Sequence, residues 1–500
     1  MTLTVLPHRD AAGLKAGQLF IGGEWVAARD GATWTHHHPA TSEEIGEFAV
    51  AGPADVDDAV AAARAAFPAW GSSRANTRIA VLLKYAELLR AHADELRALQ
   101  ALDNSVPLSF GGIYATSVAA AADVFTHHAG WVDKAGGQTV PPYQGGDHLA
   151  MTFREPIGVV GAILPWNAPF LLFAQKVAPA LGAGCTVVLK ASEYASFAVI
   201  RMVELLAEAG LPAGVLNLLT GPGDPTGERL ITHPDVDKVS FTGSRAVGKR
   251  IVEASAGTLK RVSLELGGKS PAIVFPDAPN VGLAAMTTMG AVTMGLSGQA
   301  CVANTRALVH RDVYDEFLGA AQGMAAAVTY GDPFDPGVIS CPLVNGRQLE
   351  RVLGYIERGK AEGRLVTGGE RLDGDYANGN FVAPTIFADV DNSATIAQEE
   401  IFGPVLAVVP FDSEDEAVEL ANATEYGLGA GLFTADSARA FRVARQLRAG
   451  TIGINGFQVE PHLPFGGFKQ SGLGREGGLS AFEAYTELKT VLMPLGEEIM

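Results

Sequence analysis

Ile157-Gly158-Val159-Val160-Gly161-Ala162-Ile163-Leu164-Pro165-Trp166-Asn167-Ala168-Pro169 is the stretch whose reading decides the fold. Its uncharged apolar run reads as a buried strand and Pro165 to Asn167 as a tight turn. Pro169 then opens a helix, at the position where the N–H it lacks would be unpaired anyway. The same unit recurs downstream. Thr186-Val187-Val188-Leu189 precedes a helix near Ser196, and Val215 to Leu219 and Lys238 to Phe241 continue the alternation. Strands alternating with helices predict a doubly wound parallel sheet, in which ligands bind beyond the carboxyl ends of the strands. Notable residues fall at those ends: Asn167 after the first strand, Lys190 and Glu193 after the second, Gly221 and Gly223 after the third, Gly243 and Ser244 after the fourth.

Past Glu265 a second α/β region is expected, with strands at Pro271 to Phe275, Val405 to Val409 and Thr451 to Asn455. Upstream, Pro53 and Asp55 open a helix with Val56, Val60, Ala63 and Phe67 on one face, and a second helix is expected over roughly Ala75 to Leu102. Gly136 to Phe153, rich in Gly, Pro and Thr, reads as a projecting strand pair. The 500 residues exceed what one core usually holds, so two or three structural units are expected.

Composition excludes several function classes. A net charge of −18 disfavours a nucleic-acid or anionic-membrane surface, and the 48% hydrophobic content rules out a disordered chain. The cysteines, Cys185, Cys301 and Cys341, are odd in number and sparse. They suit neither a disulfide framework nor a zinc site, and point to a reducing, cytoplasmic compartment. No secretory signal is visible at the N-terminus. Ile157 to Gln175 carries no charge, yet Pro165, Asn167 and Pro169 in its middle argue against a membrane span. Val281 to Thr305, also uncharged but interrupted by glycines and polar residues, reads as a buried helix delivering Cys301 to a loop. His36-His37-His38 reads as a polar loop rather than a metal site, because adjacent residues cannot easily surround one ion.

Cys301, in Gly298-Gln299-Ala300-Cys301, is the candidate nucleophile. A cysteine in an apolar stretch is more often core than catalyst. Here two other runs supply what a reactive thiol would need: Asn167 in Leu164-Pro165-Trp166-Asn167, and Glu265 in Leu264-Glu265-Leu266-Gly267-Gly268-Lys269. A thiolate adds to an electrophilic carbonyl, a side-chain amide with the Cys301 N–H can hold the developing oxyanion, and a carboxylate can activate a water. A thiol of pKa roughly 8.5 already has some thiolate unaided, which favours the water as Glu265's target. In order and spacing the three runs resemble the NAD(P)-dependent aldehyde dehydrogenases, and the resemblance extends from Ile21-Gly22-Gly23-Glu24-Trp25 to Tyr485 through Leu492. It departs at Asp103-Asn104-Ser105-Val106-Pro107, where relatives commonly carry Thr-Gly-Lys-Pro.

The resemblance implies a Rossmann-like cofactor domain over 1–135 and 154–264, a catalytic domain over 265–478, and a projecting β oligomerisation element from 136–153 and 479–500. It also implies a homodimer or homotetramer. The implied reaction is oxidation of an aldehyde through a Cys301 thiohemiacetal and thioester, with Glu265 as deacylating base and Lys176 and Glu476 as a proton route. No G-x-G-x-x-G is usefully placed. In its stead Phe241-Thr242-Gly243-Ser244-Arg245-Ala246-Val247-Gly248 is similar to the family's variant phosphate loop, although a Gly-Ser helix start alone is a plain cap. Lys190-Ala191-Ser192-Glu193 resembles the element that holds the adenosine ribose, with Ala191 in place of the usual proline, and the Glu193 carboxylate favours NAD over NADP. Glu400 and Phe402 match the run that meets the nicotinamide half; Ile163, Pro165, Trp166, Gly223 and Leu266 complete the expected cofactor set.

For the substrate, Ala168, Phe170, Leu171, Ala300, Val302, Phe457, Val459 and Phe465 would line an apolar funnel suited to an aliphatic or aromatic aldehyde. Glu460 and His462 on the same loop leave a cationic aminoaldehyde open, and His127 and His128 stand either at the entrance or on a helix surface. A semialdehyde would want a positioned Arg or Lys. A CoA-acylating relative would pass the thioester to a thiol, which Glu265 argues against. A structural protein on the same fold would have no use for Asn167, Cys301 and Glu265 together.

Overall fold

A computed structural model describes residues 3–14, 16–110, 114–143, 148–456 and 460–495. Strand, turn and helix appear where the deciding stretch puts them. Val159–Ile163 is a strand, Pro169–Ala183 is a helix, and every residue of that helix is buried. Side chains of a strand alternate between faces, and one β residue further moves a side chain to the opposite layer. Accordingly Val160 and Ala162 join one core with Phe170, Phe173 and Leu189, while Val159 and Ile163 join the other with Val239 and Phe241.

The first sheet has eight strands in the order Gly472–Leu473, Arg261–Glu265, Lys238–Thr242, Val159–Ile163, Thr186–Lys190, Leu216–Leu219, Leu19–Ile21, Glu24–Val26. The Arg261, Lys238, Val159, Thr186 and Leu216 strands run parallel to one another. From Val159–Ile163 the chain winds outward through Thr186 and Leu216, then returns to the other side at Lys238. The order therefore reverses between the Val159 and Lys238 strands, and such a switch point opens a crevice at their carboxyl ends. One edge of this sheet, Gly472–Leu473, pairs antiparallel with Arg261–Glu265 and comes from the 265–478 stretch.

A second, seven-stranded sheet runs Arg364–Thr367, Thr385–Ala388, Val405–Phe411, Arg306–His310, Pro271–Val274, Gly429–Phe433, Thr451–Ile454. It too is covered on both faces: Ile273, Leu308 and Val409 pack into one core, Val274, Val309 and Val408 into the other. The projecting element is three-stranded. Thr486–Pro494 pairs with His148–Pro156 in register from Thr486 opposite Pro156 to Pro494 opposite His148, and Thr139–Val140 adds an edge.

Three local expectations are corrected. The helix expected over Ala75 to Leu102 is two, Ala75–Ala91 and Ala93–Asn104. His92 leaves helical geometry at φ −107, ψ 19, and its Nδ1 bonds Glu95 at 2.7 Å, so the second helix starts afresh with Asp94 and Glu95 in its first turn. Nothing in an apolar periodicity registers such a break. The helix ahead of Cys301, Val281–Thr293, is buried on one face only: Leu283 and Met286 are half exposed. The histidine tract lies at the end of the strand Thr33–His37, where alternation buries His36 and His38 and exposes His37. The buried rings bond the carbonyls of Asp103 and Ala101. Among the described residues no helix is long and apolar enough to cross a membrane.

Candidate active site

Cys301 is carried on the turn that follows Val281–Thr293, and the turn's shape is built into its sequence. Ser297 and Gly298 have φ of 51° and 72°. A Cβ at Gly298 would lie 2.1 Å from the Gly403 carbonyl, so only glycine lets the two segments meet. Gln299, fully buried, fastens the turn by donating to the Leu296 and Pro342 carbonyls and accepting from the Val344 N–H, each at 3.0 Å. Its own carbonyl accepts from Asn167 Nδ2 at 2.8 Å. One of the two Asn167 amide hydrogens is thereby used to fix the group. The departure segment contributes here, because Asn104 Nδ2 donates to the Trp166 carbonyl at 2.8 Å and Asp103 caps the Ser196–Glu208 helix through the Phe197 and Ala198 N–H groups.

Two cavities meet at the thiol. Cys301, Asn167 and Leu172 line both. The larger, about 890 Å³, takes in Ala168, Leu171, Ala300, Val302 and Phe465 of the expected funnel, together with His127, Glu460 and His462. Phe170 is absent from its wall: as the second residue of the Pro169 helix it turns into the core and is fully buried. Phe457 and Val459 lie outside the described residues. Of the two histidines, His127 reaches the cavity, its Nε2 accepting from Trp131 Nε1 at 3.1 Å, whereas His128 is buried behind it.

The smaller cavity, about 580 Å³, opens at the switch point of the first sheet. Pro165, Trp166, Glu193, Gly243, Ser244, Glu265, Leu266, Glu400 and Phe402 line it, all named from the sequence. Ile163, Phe241 and Gly248 lie buried behind the wall, and Gly223 and Val247 are exposed beyond it. Lys190 is buried beside the wall, 3.5 Å from Glu193. Ser244 caps the Arg245–Ser255 helix by accepting from the Val247 N–H, which leaves the helix start facing the cavity. Thr242 Oγ1 is buried there without a partner among the described residues. The sequence reading missed a third wall, Asn345, Arg347, Gln348 and Arg351 at the start of the Gly346–Glu362 helix. Its local signal, an Asn cap accepting from the Gln348 N–H, marks a helix start and nothing about the cavity it would face.

The electrostatics weigh against one expectation, a thiolate available without a base. Burial first, then the carboxylates of Glu400 and Glu265, push the Cys301 thiol up to about 12, which disfavours the thiolate at this position. Glu265, at the end of Arg261–Glu265, has Oε2 buried without a partner among the described residues. Burial and then the Glu476 carboxylate hold its carboxyl well above the usual range, against the opposing charges of Lys176 and Arg475. Glu400 accepts from the Gly268 N–H at 3.2 Å and is raised to about 7, chiefly by burial. Lys176 and Glu476 form a buried ion pair, with Ser240 Oγ 3.4 Å from the amine. Phe402 takes a left-handed φ of 62°, held by Gln348 donating to its carbonyl at 2.8 Å, and its ring meets Trp166 edge-on.

A sequence model of the aldehyde dehydrogenase family matches residues 25–491. An aldehyde dehydrogenase of Enchytraeus buchholzi is 44% identical over 480 residues, 95% of each chain. A betaine aldehyde dehydrogenase of Rhizobium etli is 44% identical over 487 residues, 95% of this chain and 97% of that one. Among solved structures, the NAD+ complex of an aldehyde dehydrogenase from Bacillus cereus superposes with a TM-score of 0.94 at 40% identity, covering 99% of this chain and all of that one.

Proposed function

This chain belongs to the aldehyde dehydrogenase family, and on that premise we propose that it oxidises an apolar aliphatic or aromatic aldehyde to the carboxylic acid through a covalent adduct on Cys301, in the cytoplasm. The observation that carries the reading is the meeting of two cavities at one thiol, with the Asn167 amide beside it and the Glu265 carboxyl in the wall. NAD+, bound in the smaller cavity, supplies the hydride acceptor. Its fit is supported by the helix start at Ser244, the unpartnered Thr242 hydroxyl and a volume within the range of ligand sites. In this reading Lys190 and Glu193 hold the adenosine ribose, Gly243 and Ser244 the diphosphate, and Glu400 and Phe402 the nicotinamide half. The Glu193 carboxylate disfavours a 2′-phosphate and so favours NAD over NADP.

The Cys301 thiolate adds to the carbonyl carbon, and the oxygen that gains the charge is held by the free hydrogen of Asn167 Nδ2 and the Cys301 N–H. Loss of hydride from that carbon leaves a thioester. Glu265 then takes a proton from water as the water oxygen attacks the acyl carbon; the carbon–sulfur bond breaks, releasing the acid and leaving Cys301 as the thiolate. Lys176 and Glu476 pass that proton onward, a role supported by their buried pairing and by the charge coupling of Glu476 to Glu265. A second role for Glu265, as base for the thiol, is favoured by the raised pKa of Cys301.

The cofactor unit is assigned to 1–135 and 154–264 and the catalytic unit to 265–478. A homodimer or homotetramer is assigned to 136–153 and 479–500, and exposed Leu488 and Leu492 on the long strand support a covered face there. A cationic aminoaldehyde is the second substrate reading, favoured by Glu460 at the exposed end of the larger cavity. The test is NADH formation across aliphatic, aromatic, amino and carboxylated aldehydes. A preference for apolar aldehydes is expected; a nearly flat response across all classes would sink the reading.

A further inference from the structure

Gln175 lies on the buried Pro169–Ala183 helix, one turn beyond Leu171 and Leu172, and its side chain lines the larger cavity. It is 3% exposed, its Oε1 is shut off from solvent, and neither end of its amide has a hydrogen-bond partner among the described residues. A buried amide left unpaired loses what water would have given it, so such a group in a cavity wall implies that a ligand completes it. The neighbouring polar side chains of the wall each have a protein partner. Ser117 caps the Val118–Ala129 helix, Thr126 bonds back to the Ala122 carbonyl, Asn167 donates to Gln299, His127 accepts from Trp131, and Asp123 pairs with Arg90. Gln175 is the polar side chain in the buried part of the wall with no protein partner among the described residues.

We propose that the aldehyde taken by this site carries a hydroxyl group remote from its carbonyl, and that Gln175 recognises that hydroxyl. The inference rests on the aldehyde oxidation argued above. A hydroxyl both donates and accepts, so it satisfies the amide whichever end is turned toward the cavity. A carboxylate would need a cation, and the cavity wall contains no Lys or Arg among the described residues. An ammonium would need a free carboxylate beside Gln175, but Asp123 is bound to Arg90 and Glu460 stands at the exposed end. Gln175 lies on the same helix as Leu171 and Leu172 and lines the same cavity as Cys301, so the hydroxyl it would meet is on a different part of the substrate from the reacting carbonyl.

Matched pairs test this: benzaldehyde with 4-hydroxybenzaldehyde, phenylacetaldehyde with 4-hydroxyphenylacetaldehyde, and the alkanals from butanal to octanal with their terminal hydroxy derivatives. In the wild type, kcat/KM for the best-fitting pair should favour the hydroxylated member by roughly five- to tenfold, expressed in KM, because one hydrogen bond to a group otherwise unpaired is at stake. Gln175→Met, close to it in volume, and Gln175→Leu should bring that ratio to about one or below. A wild-type ratio under about twofold in every pair overturns the proposal, whether or not either variant folds. A preference undiminished in both variants overturns it as well. Equal NADH formation from both members of every pair sinks the Gln175 assignment and leaves aldehyde oxidation standing, whereas no NADH from any of them sinks both.

Discussion

Replacing Glu265 by Gln removes a base while keeping the shape of the side chain. The Glu265 Oε2 has no hydrogen-bond partner among the described residues, and burial and the nearby Glu476 carboxylate disfavour its charge, so an uncharged amide relieves a repulsion and the fold should lose no stability. With Glu265 as deacylating base, the variant still attacks the aldehyde and reduces one equivalent of NAD per site, then stalls as a thioester on Cys301. General-base assistance is worth about 10²- to 10⁴-fold, so the steady state should slow by that order while the burst survives. Rapid mixing should show the NADH burst, and intact mass the trapped acyl group. The wild type adds a pH signature. Because the Glu265 carboxyl is raised, the basic form is scarce at low pH, and the deacylation rate should climb as pH rises through the raised value. Loss of the burst together with the steady state would refute the deacylation role. It would make Glu265 the base that ionises Cys301, an outcome with physical grounds in a thiol pushed to about 12.

Cys301→Ala should abolish NADH formation while leaving NAD affinity within a few-fold in a titration, and Cys185→Ala and Cys341→Ala, fully buried and away from both cavities, should retain turnover. Glu193→Ser should narrow the preference for NAD over NADP, read as the ratio of kcat/KM values, since the carboxylate then neither holds the ribose hydroxyls nor repels a 2′-phosphate; equal efficiency with both cofactors in the wild type would contradict the assignment. His36, His38 and His128 are buried neutral, with burial lowering them to about 4, about 4 and about 3. Their folded values lie below the ordinary 6.5, so the stability they contribute is present above that pH and is lost as pH falls toward the folded values; by pH 5 each should cost about 2 kcal/mol. Thermal melting between pH 7 and pH 5 should show a steep loss, and a flat profile would contradict the burial argument.

What the sequence determined by itself is local or repetitive. Strand runs such as Val159–Ile163 and Thr186–Lys190 were legible because burial on both faces demands unbroken apolar residues, and the helix at Pro169 because proline fits its first turn. Asn167, Glu265 and Cys301, which line one cavity, and most of the other named residues of its wall were legible because each sits at a strand end, a helix start or a glycine-bearing turn marked by a few adjacent residues. What tertiary structure alone decided depends on atoms distant in sequence. The break at His92 turns on a side-chain bond, and the inward and outward alternation at His36 to His38 on which strand pairs with Thr33–His37. The wall at Asn345 to Arg351 comes from the start of a helix distant in the chain. The Cys301 pKa follows from burial beside Glu400 and Glu265, neither adjacent to it in the chain. Gln175 read as one polar residue in an apolar helix. Only packing against the Val118–Ala129 helix, which left its amide facing a cavity with no partner, gave it a chemical meaning.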